Sequence, residues 1–260
     1  MNIKQIRNAT VIITYAGKRF LMDPFLAAKG SYPAFPGTPN QDKSNPLVSL
    51  PVSIDEIIDV DAVIVTHTHL DHFDDAAKEV LPKTIKMFVQ NEKEADEIRN
   101  AGFQNIEVLQ GEGNVYGSIK LTKTKGIHGT GETIQRYFKE ANLDTEVCGV
   151  IFNHPSEKTL YIAGDTVWCD EVHKAIDTHK PEIIVLNAGD AQFLEGGSII
   201  MGKKDVYEVY KAAPQAKIIA SHMEAVNHGM LTRKELKDFI DEKEISSNIL
   251  IPSDGEEYIL

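Results

Sequence analysis

The chain has 260 residues, 42% hydrophobic and 25% charged, the balance of an ordinary globular protein. Its formal net charge of −12 leaves no global field to attract nucleic acid or anionic lipid, so a small-molecule substrate is expected and a nucleic-acid partner is not. No apolar run approaches the roughly 18 residues of a membrane helix, the N-terminus has no secretory pattern, and Cys148 and Cys169, the two cysteines, are too few for a disulfide framework. A cytoplasmic protein with reduced thiols and no membrane partner is the expectation.

In chain order, the first twenty residues read as strands. Ala9 to Phe25, "ATVIITYAGKRFLMDPF", reads as a hairpin around "YAGK", where Gly17 suits the turn. Residues 29–51 carry five of the eleven prolines and no period. A segment of this length is either a functional cover or a passive surface loop, with Tyr32 and Phe35 over a pocket or tacked to the body. "DAVIVT" (61–66) is a continuously apolar strand, the pattern of a strand covered on both faces. Residues 74–80 and 91–101 read as helices around a strand at 85–89, followed by strands at 105–109 and 117–125. Residues 148–166 form a second hairpin around "HPSEK". Helix and strand then alternate through 171–180, 182–188, 204–213, 216–222 and 232–243. Hairpins opening each half, followed by βα units, predict two mixed sheets with helices outside in a single domain spanning 1–260.

The chemistry concentrates at strand exits. "VIVTHTHLDHFDD" (63–75) puts His67, His69, Asp71 and His72 directly behind a core strand. His67 and His69, two apart, converge on one ion, and Asp71 and His72, past the turn, point to a neighbouring spot. Further ligands should then follow at later strand ends. His128 stands among Gly126, Gly129 and Gly131, Asp165 closes "LYIAGD", and His222 closes "KIIASH". Taken singly, these residues also read as a polar loop residue, a helix N-cap and a helix-start polar group.

"HTHLDH", "HG", "GDT" and "SH", in this order, closely resemble the metallo-β-lactamase-fold hydrolase superfamily over residues 67–222, and "LMDPF" fits that family's opening hairpin. The resemblance implies an αββα sandwich with the site at one sheet edge. It implies one ion on His67, His69 and His128 and a second on Asp71, His72 and His222, bridged by Asp165. Metallo-β-lactamases often carry a cysteine where this chain has Asp165, which argues against antibiotic hydrolysis. "HTHLDH", "AGDT" and "SHMEA" look most similar to the ascorbate-6-phosphate lactonase-like branch, although this chain is shorter.

The expected function is a metal-dependent hydrolase. Two divalent ions, zinc first and manganese or iron as alternatives, would share a hydroxide that attacks a small ester, lactone or phosphoester. Asp71 and Asp165 are the expected catalytic carboxylates. The alternatives are an iron-dependent redox or sulfur-oxygenating enzyme, a nucleic-acid phosphodiesterase, which the charge disfavours, and a non-catalytic sensor. Homo-oligomerisation stays open. His228 is a candidate substrate or proton-transfer contact, and Asp23 either orients a ligand histidine or makes a turn before Pro24. Trp168 is expected in the core, and His154, His173 and His179 in solvent.

Overall fold

In the computed structural model, which describes every residue except Asn142 and Asp144, the first sheet begins as an antiparallel meander. It comprises β1 (Asn2–Arg7), β2 (Thr10–Tyr15) and β3 (Lys18–Met22). Tyr15 pairs with Lys18 across Ala16 and Gly17, whose φ values of 47° and 76° make the left-handed pair that a type I′ turn requires. After α1 (Ile54–Ile58) come β4 (Ala62–Val65), α2 (Asp75–Val80), β5 (Lys86–Val89), α3 (Glu92–Asn100) and β6 (Asn105–Val108), their strands parallel. Ser53, Asp74 and Asn91 start these three helices, each side chain accepting a backbone N–H three residues on.

The second sheet opens with β7 (Asn114–Tyr116) and β8 (Ile119–Lys125). Past α4 (Glu132–Glu140) it continues antiparallel through β9 (Cys148–Asn153) and β10 (Leu160–Ile162). This hairpin is shorter than expected. The chain turns at Gly164, whose φ is 71° and where any side chain would collide with the Cys148 carbonyl. Next come α5 (Asp170–His179), β11 (Ile183–Asn187), a small ribbon of β12 (Gln192–Phe193) and β13 (Gly197–Ser198), and α6 (Lys203–Ala212). β14 (Lys217–Ser221), α7 (Arg233–Glu242) and β15 (Ile249–Leu250) complete this half, and β16 (Glu257–Ile259) returns to pair with β1. The strand orders are β16-β1-β2-β3-β4-β5-β6 and β15-β14-β11-β10-β9-β8-β7.

β4 shows why the fold has four layers. Its residues are all buried, yet they serve two cores. Ala62 and Ile64 join Phe20, Leu121 and Val150 between the sheets, while Val63 and Val65 join Ile57, Ala77 and Ile98 beneath α1, α2 and α3. A third apolar cluster packs Ile176, Val206 and Leu236 of α5, α6 and α7 on the outer face of the second sheet. Because strand side chains alternate faces, a strand between two cores must be apolar throughout. The αββα sandwich follows. No helix among the described residues is long and apolar enough to cross a membrane.

α4 has no counterpart among the elements expected from sequence. Gly131, with φ 95°, precedes it without a side-chain cap bond, and only Ile134 and Phe138 of the helix are buried. A turn without a cap signal and a short apolar stripe hide such a helix.

Candidate metal centre

The residues expected as ligands meet at one edge of the sandwich, where the chain leaves β4, β8, β10 and β14. After β4 the backbone folds into a tight turn, His72 N and Phe73 N both donating to His69 O at 2.9 and 3.0 Å. That turn brings His67, His69, Asp71 and His72 to one place. His222 takes φ 59°, and its N–H donates to Asn8 O at 2.9 Å, tying the second sheet's exit to the first sheet's opening turn.

Three groups result, and in each the donor atoms lie within 4.8 Å of one another: His67, His69 and His128; His67, His72 and Asp165; Asp71, His72 and His222. Asp165 sits at the centre. Its Oδ2 is 3.1 Å from His72 Nε2 and 3.9 Å from both His67 Nε2 and His128 Nε2, and its Oδ1 is 3.7 Å from His222 Nε2. Asp71 Oδ2 lies 3.3 Å from His222 Nε2. His67 Nε2 is buried without a hydrogen bond, which is rare and costly for a polar atom. Imidazole nitrogens and carboxylates clustered this way fit a divalent ion.

Outer partners orient these rings. Asp23 accepts Thr66 N and Thr66 Oγ1, both at 2.7 Å, and its Oδ2 is 3.0 Å from His72 Nδ1, while its φ of 42° places it in a turn before Pro24, so both readings of Asp23 hold. His128 Nδ1–H donates to Ile199 O at 2.9 Å, which leaves Nε2 for an ion. Asn187 Nδ2 donates to Asp165 Oδ1 at 2.6 Å. Asn8, fully buried at φ 55° in the β1–β2 turn, places Nδ2 3.2 Å from both Asp71 Oδ2 and His222 Nε2. Replacing Asn8 with alanine is expected to weaken metal retention about 10–100-fold in a chelator-competition titration. Unchanged retention would mean that Asp71 and His222 hold their places without it.

The electrostatics couple these groups. Burial works against the Asp165 and Asp71 charges, but the His72 and His222 rings outweigh it and hold both carboxyls well below the usual range. Conversely, burial opposes the charge on His72 and His222, yet the neighbouring carboxylates raise both above an ordinary imidazole. Burial and neighbouring imidazoles lower His67 and push His128 down to about 3. Burial, reinforced by His222, takes His228 to about 4.

Above the cluster opens a cavity of about 190 Å³. Phe35, Pro36, Phe138, Leu143, Phe193 and Ile199 form its apolar walls, and His69, Asp71, His128, Asp165 and His228 its polar floor. No lysine or arginine lines it among the described residues. Residues 29–51 thus supply part of the wall. Trp168 is not in the lining; it packs on the outer core and against His173. His154 bonds Ser118 at the surface and His173 faces Asp177, as expected of solvated rings. Asn8, Asn187, Phe138, Phe193 and Ile199 were not anticipated. Ile134, Tyr137 and Phe138, at helical spacing, were the available signal for α4; the asparagines gave none.

The description of a beta-lactamase superfamily domain matches residues 18–223. The UPF0173 protein YddR of Bacillus subtilis is 62% identical over 259 residues, 99% of each chain. A UPF0173 metal-dependent hydrolase of Methanosphaera stadtmanae is 27% identical over 185 residues, 70% of this chain and 69% of that one. Among solved structures, an isothiocyanate hydrolase from Delia radicum gut bacteria superposes with a TM-score of 0.96 at 46% identity, covering 100% of this chain and 99% of that one. With its fold, its clustered donors and these relatives, the chain belongs to the beta-lactamase superfamily as a metal-dependent hydrolase.

Proposed function

We propose that this chain hydrolyses small isothiocyanates with two divalent ions, zinc first. His67, His69 and His128 would hold one ion and Asp71, His72 and His222 the other, with Asp165 within reach of both groups. The observation that carries this reading is the pocket: apolar walls and no cation among the described lining residues, set directly over the donor cluster. A phosphate held away from the ions, as on the phosphorylated lactone of the lactonase-like branch, would need a positive group in the walls to meet its charge. An uncharged electrophile on an apolar substituent needs none. The activity named for the isothiocyanate hydrolase, 46% identical over the full chain, supports the same choice.

When bound, the ions supply Lewis acidity and make water a nucleophile near neutral pH. One of the two carboxylates, Asp71 or Asp165, would take the proton that water loses as its oxygen forms a bond to the central carbon of R–N=C=S. The C=N π bond breaks, and the carboxyl passes that proton to nitrogen, giving R–NH–C(=S)–OH. The neutral His228 imidazole, in the pocket floor, would hydrogen-bond that nitrogen. The O–H proton moves to sulfur, and the resulting R–NH–C(=O)–SH loses its C–N bond, the thiol proton passing to nitrogen, to leave R–NH₂ and O=C=S. In sum, one water and one isothiocyanate become one amine and one carbonyl sulfide. Phe138, Phe193 and Ile199 hold R and exclude competing water.

The test is metal-loaded protein with phenethyl isothiocyanate in a sealed vessel. Amine and carbonyl sulfide should form in equal amounts, well above a buffer blank. A rate equal to the blank overturns the isothiocyanate assignment; turnover of a neutral lactone or ester instead would keep the site and change the substrate.

A further inference from the structure

One wall of the cavity has no regular structure, and a single buried side chain gives it four hydrogen bonds. Asn227, 1% exposed, spends its whole amide on residues 35–45. Its Oδ1 accepts Phe35 N at 3.1 Å and Asn45 Nδ2 at 2.8 Å, and its Nδ2 donates to Thr38 Oγ1 at 2.8 Å and Pro39 O at 2.7 Å. Its backbone is held as well, N donating to Asn45 Oδ1 and O accepting from Asn40 Nδ2, both at 2.8 Å. Two donors and two acceptor sites are all that such a side chain offers, so the amide is saturated by this one segment.

The tethered residues face the substrate. Phe35, Pro36 and Thr38 line the cavity, and Phe35 meets His228 edge to face at 4.9 Å between centroids. His228 is the next residue in the chain and lines the same cavity. From the far side the wall is closed by Leu194 N, which donates to Gly37 O at 2.9 Å. Asn227 therefore ties down the Phe35 wall and directly precedes the His228 ring that packs against it.

We propose that Asn227 is a positioning residue that sets the width of the substrate pocket and so selects the size of the apolar substituent. Its kinetic consequence rests on the proposed isothiocyanate hydrolysis; its structural consequence does not. Asn227→Ala frees the wall, and Asn227→Asp keeps the acceptor for Phe35 N while losing the two donations to Thr38 and Pro39.

The experiment combines hydrogen exchange, read by mass spectrometry, with kinetics on methyl, butyl and phenethyl isothiocyanate, using metal-loaded full-length protein. For Asn227→Ala, exchange in residues 33–46 should accelerate by about tenfold or more while the sheet strands keep wild-type protection. Metal content should not change. KM for the phenethyl substrate should rise about tenfold, with methyl KM within about twofold and kcat within about threefold; Asn227→Asp should fall between. Unchanged exchange in 33–46, or an equal KM shift for all three substrates, overturns the proposal. If Asn227→Ala does not fold, Asn45→Ala removes the partner amide from the other side and must reproduce the split; without it the proposal falls. If wild-type protein turns over no isothiocyanate, the functional reading fails, and the exchange comparison alone decides the role of Asn227.

Discussion

An Asp165→Asn protein is expected to purify with depleted metal and to lose more than about a hundredfold in turnover. The change is isosteric, so the cavity is kept and only the charge and one acceptor are removed. Among the described residues, Asp165 alone has its two oxygens facing four imidazole nitrogens, those of His67, His72, His128 and His222, at 3.1–3.9 Å. An amide nitrogen turned toward those rings repels an ion where the carboxylate attracts it. Removing a partner that merely orients a ligand costs about 10–100-fold in metal affinity or activity, and a residue between both halves of the centre should exceed that. Metal content by mass spectrometry and turnover with phenethyl isothiocyanate are the two readouts. A variant with full metal and near-normal turnover would remove Asp165 from the centre of the mechanism.

Stripping the metal with a chelator should abolish turnover and lower the melting temperature by about 8–16 °C. An ion present at a thousand times its Kd stabilises the folded chain by about 4 kcal/mol, and each kcal/mol moves a protein near this size by about 2–4 °C. The direction follows from the site, where several buried imidazoles and two carboxylates lose the cation that balances them. Reloading should weaken on acidification, because ions bind unprotonated imidazole. His72 and His222, raised by the carboxylates beside them, retain their protons to higher pH than ordinary histidines and compete with the ion over that range. Calorimetry of loaded and stripped protein, then metal titration at two pH values, measures both effects. A melting temperature indifferent to chelator would separate the centre from the fold's stability.

The part of this protein readable without its structure was the part encoded locally. His67, His69, Asp71 and His72 share one turn, so their convergence needs only the geometry of a strand exit. His128, Asp165 and His222 were readable because parallel and hairpin strands deliver their ends to a common sheet edge. β4 announced its double burial by being apolar at every position.

The tertiary structure alone decided the rest. Asn8 reaches Asp71 and His222 from a turn 63 and 214 residues away in sequence, and no local pattern encodes that meeting. Residues 29–51 have no periodicity because their backbone groups are satisfied by scattered partners such as Arg7, Gln41, Asn45, Asn227 and the Ala225 carbonyl rather than by a helix or ladder; composition therefore left them as cover or passive loop. Phe138 and Phe193 stood in an unrecognised helix and a two-residue strand, too short for a hydrophobic period to register. The clustering of the metal-type donors was written in spacing and could be read along the chain. The shape of the substrate pocket depends on which buried amides find partners across the fold, and that is settled only when the chain closes on itself.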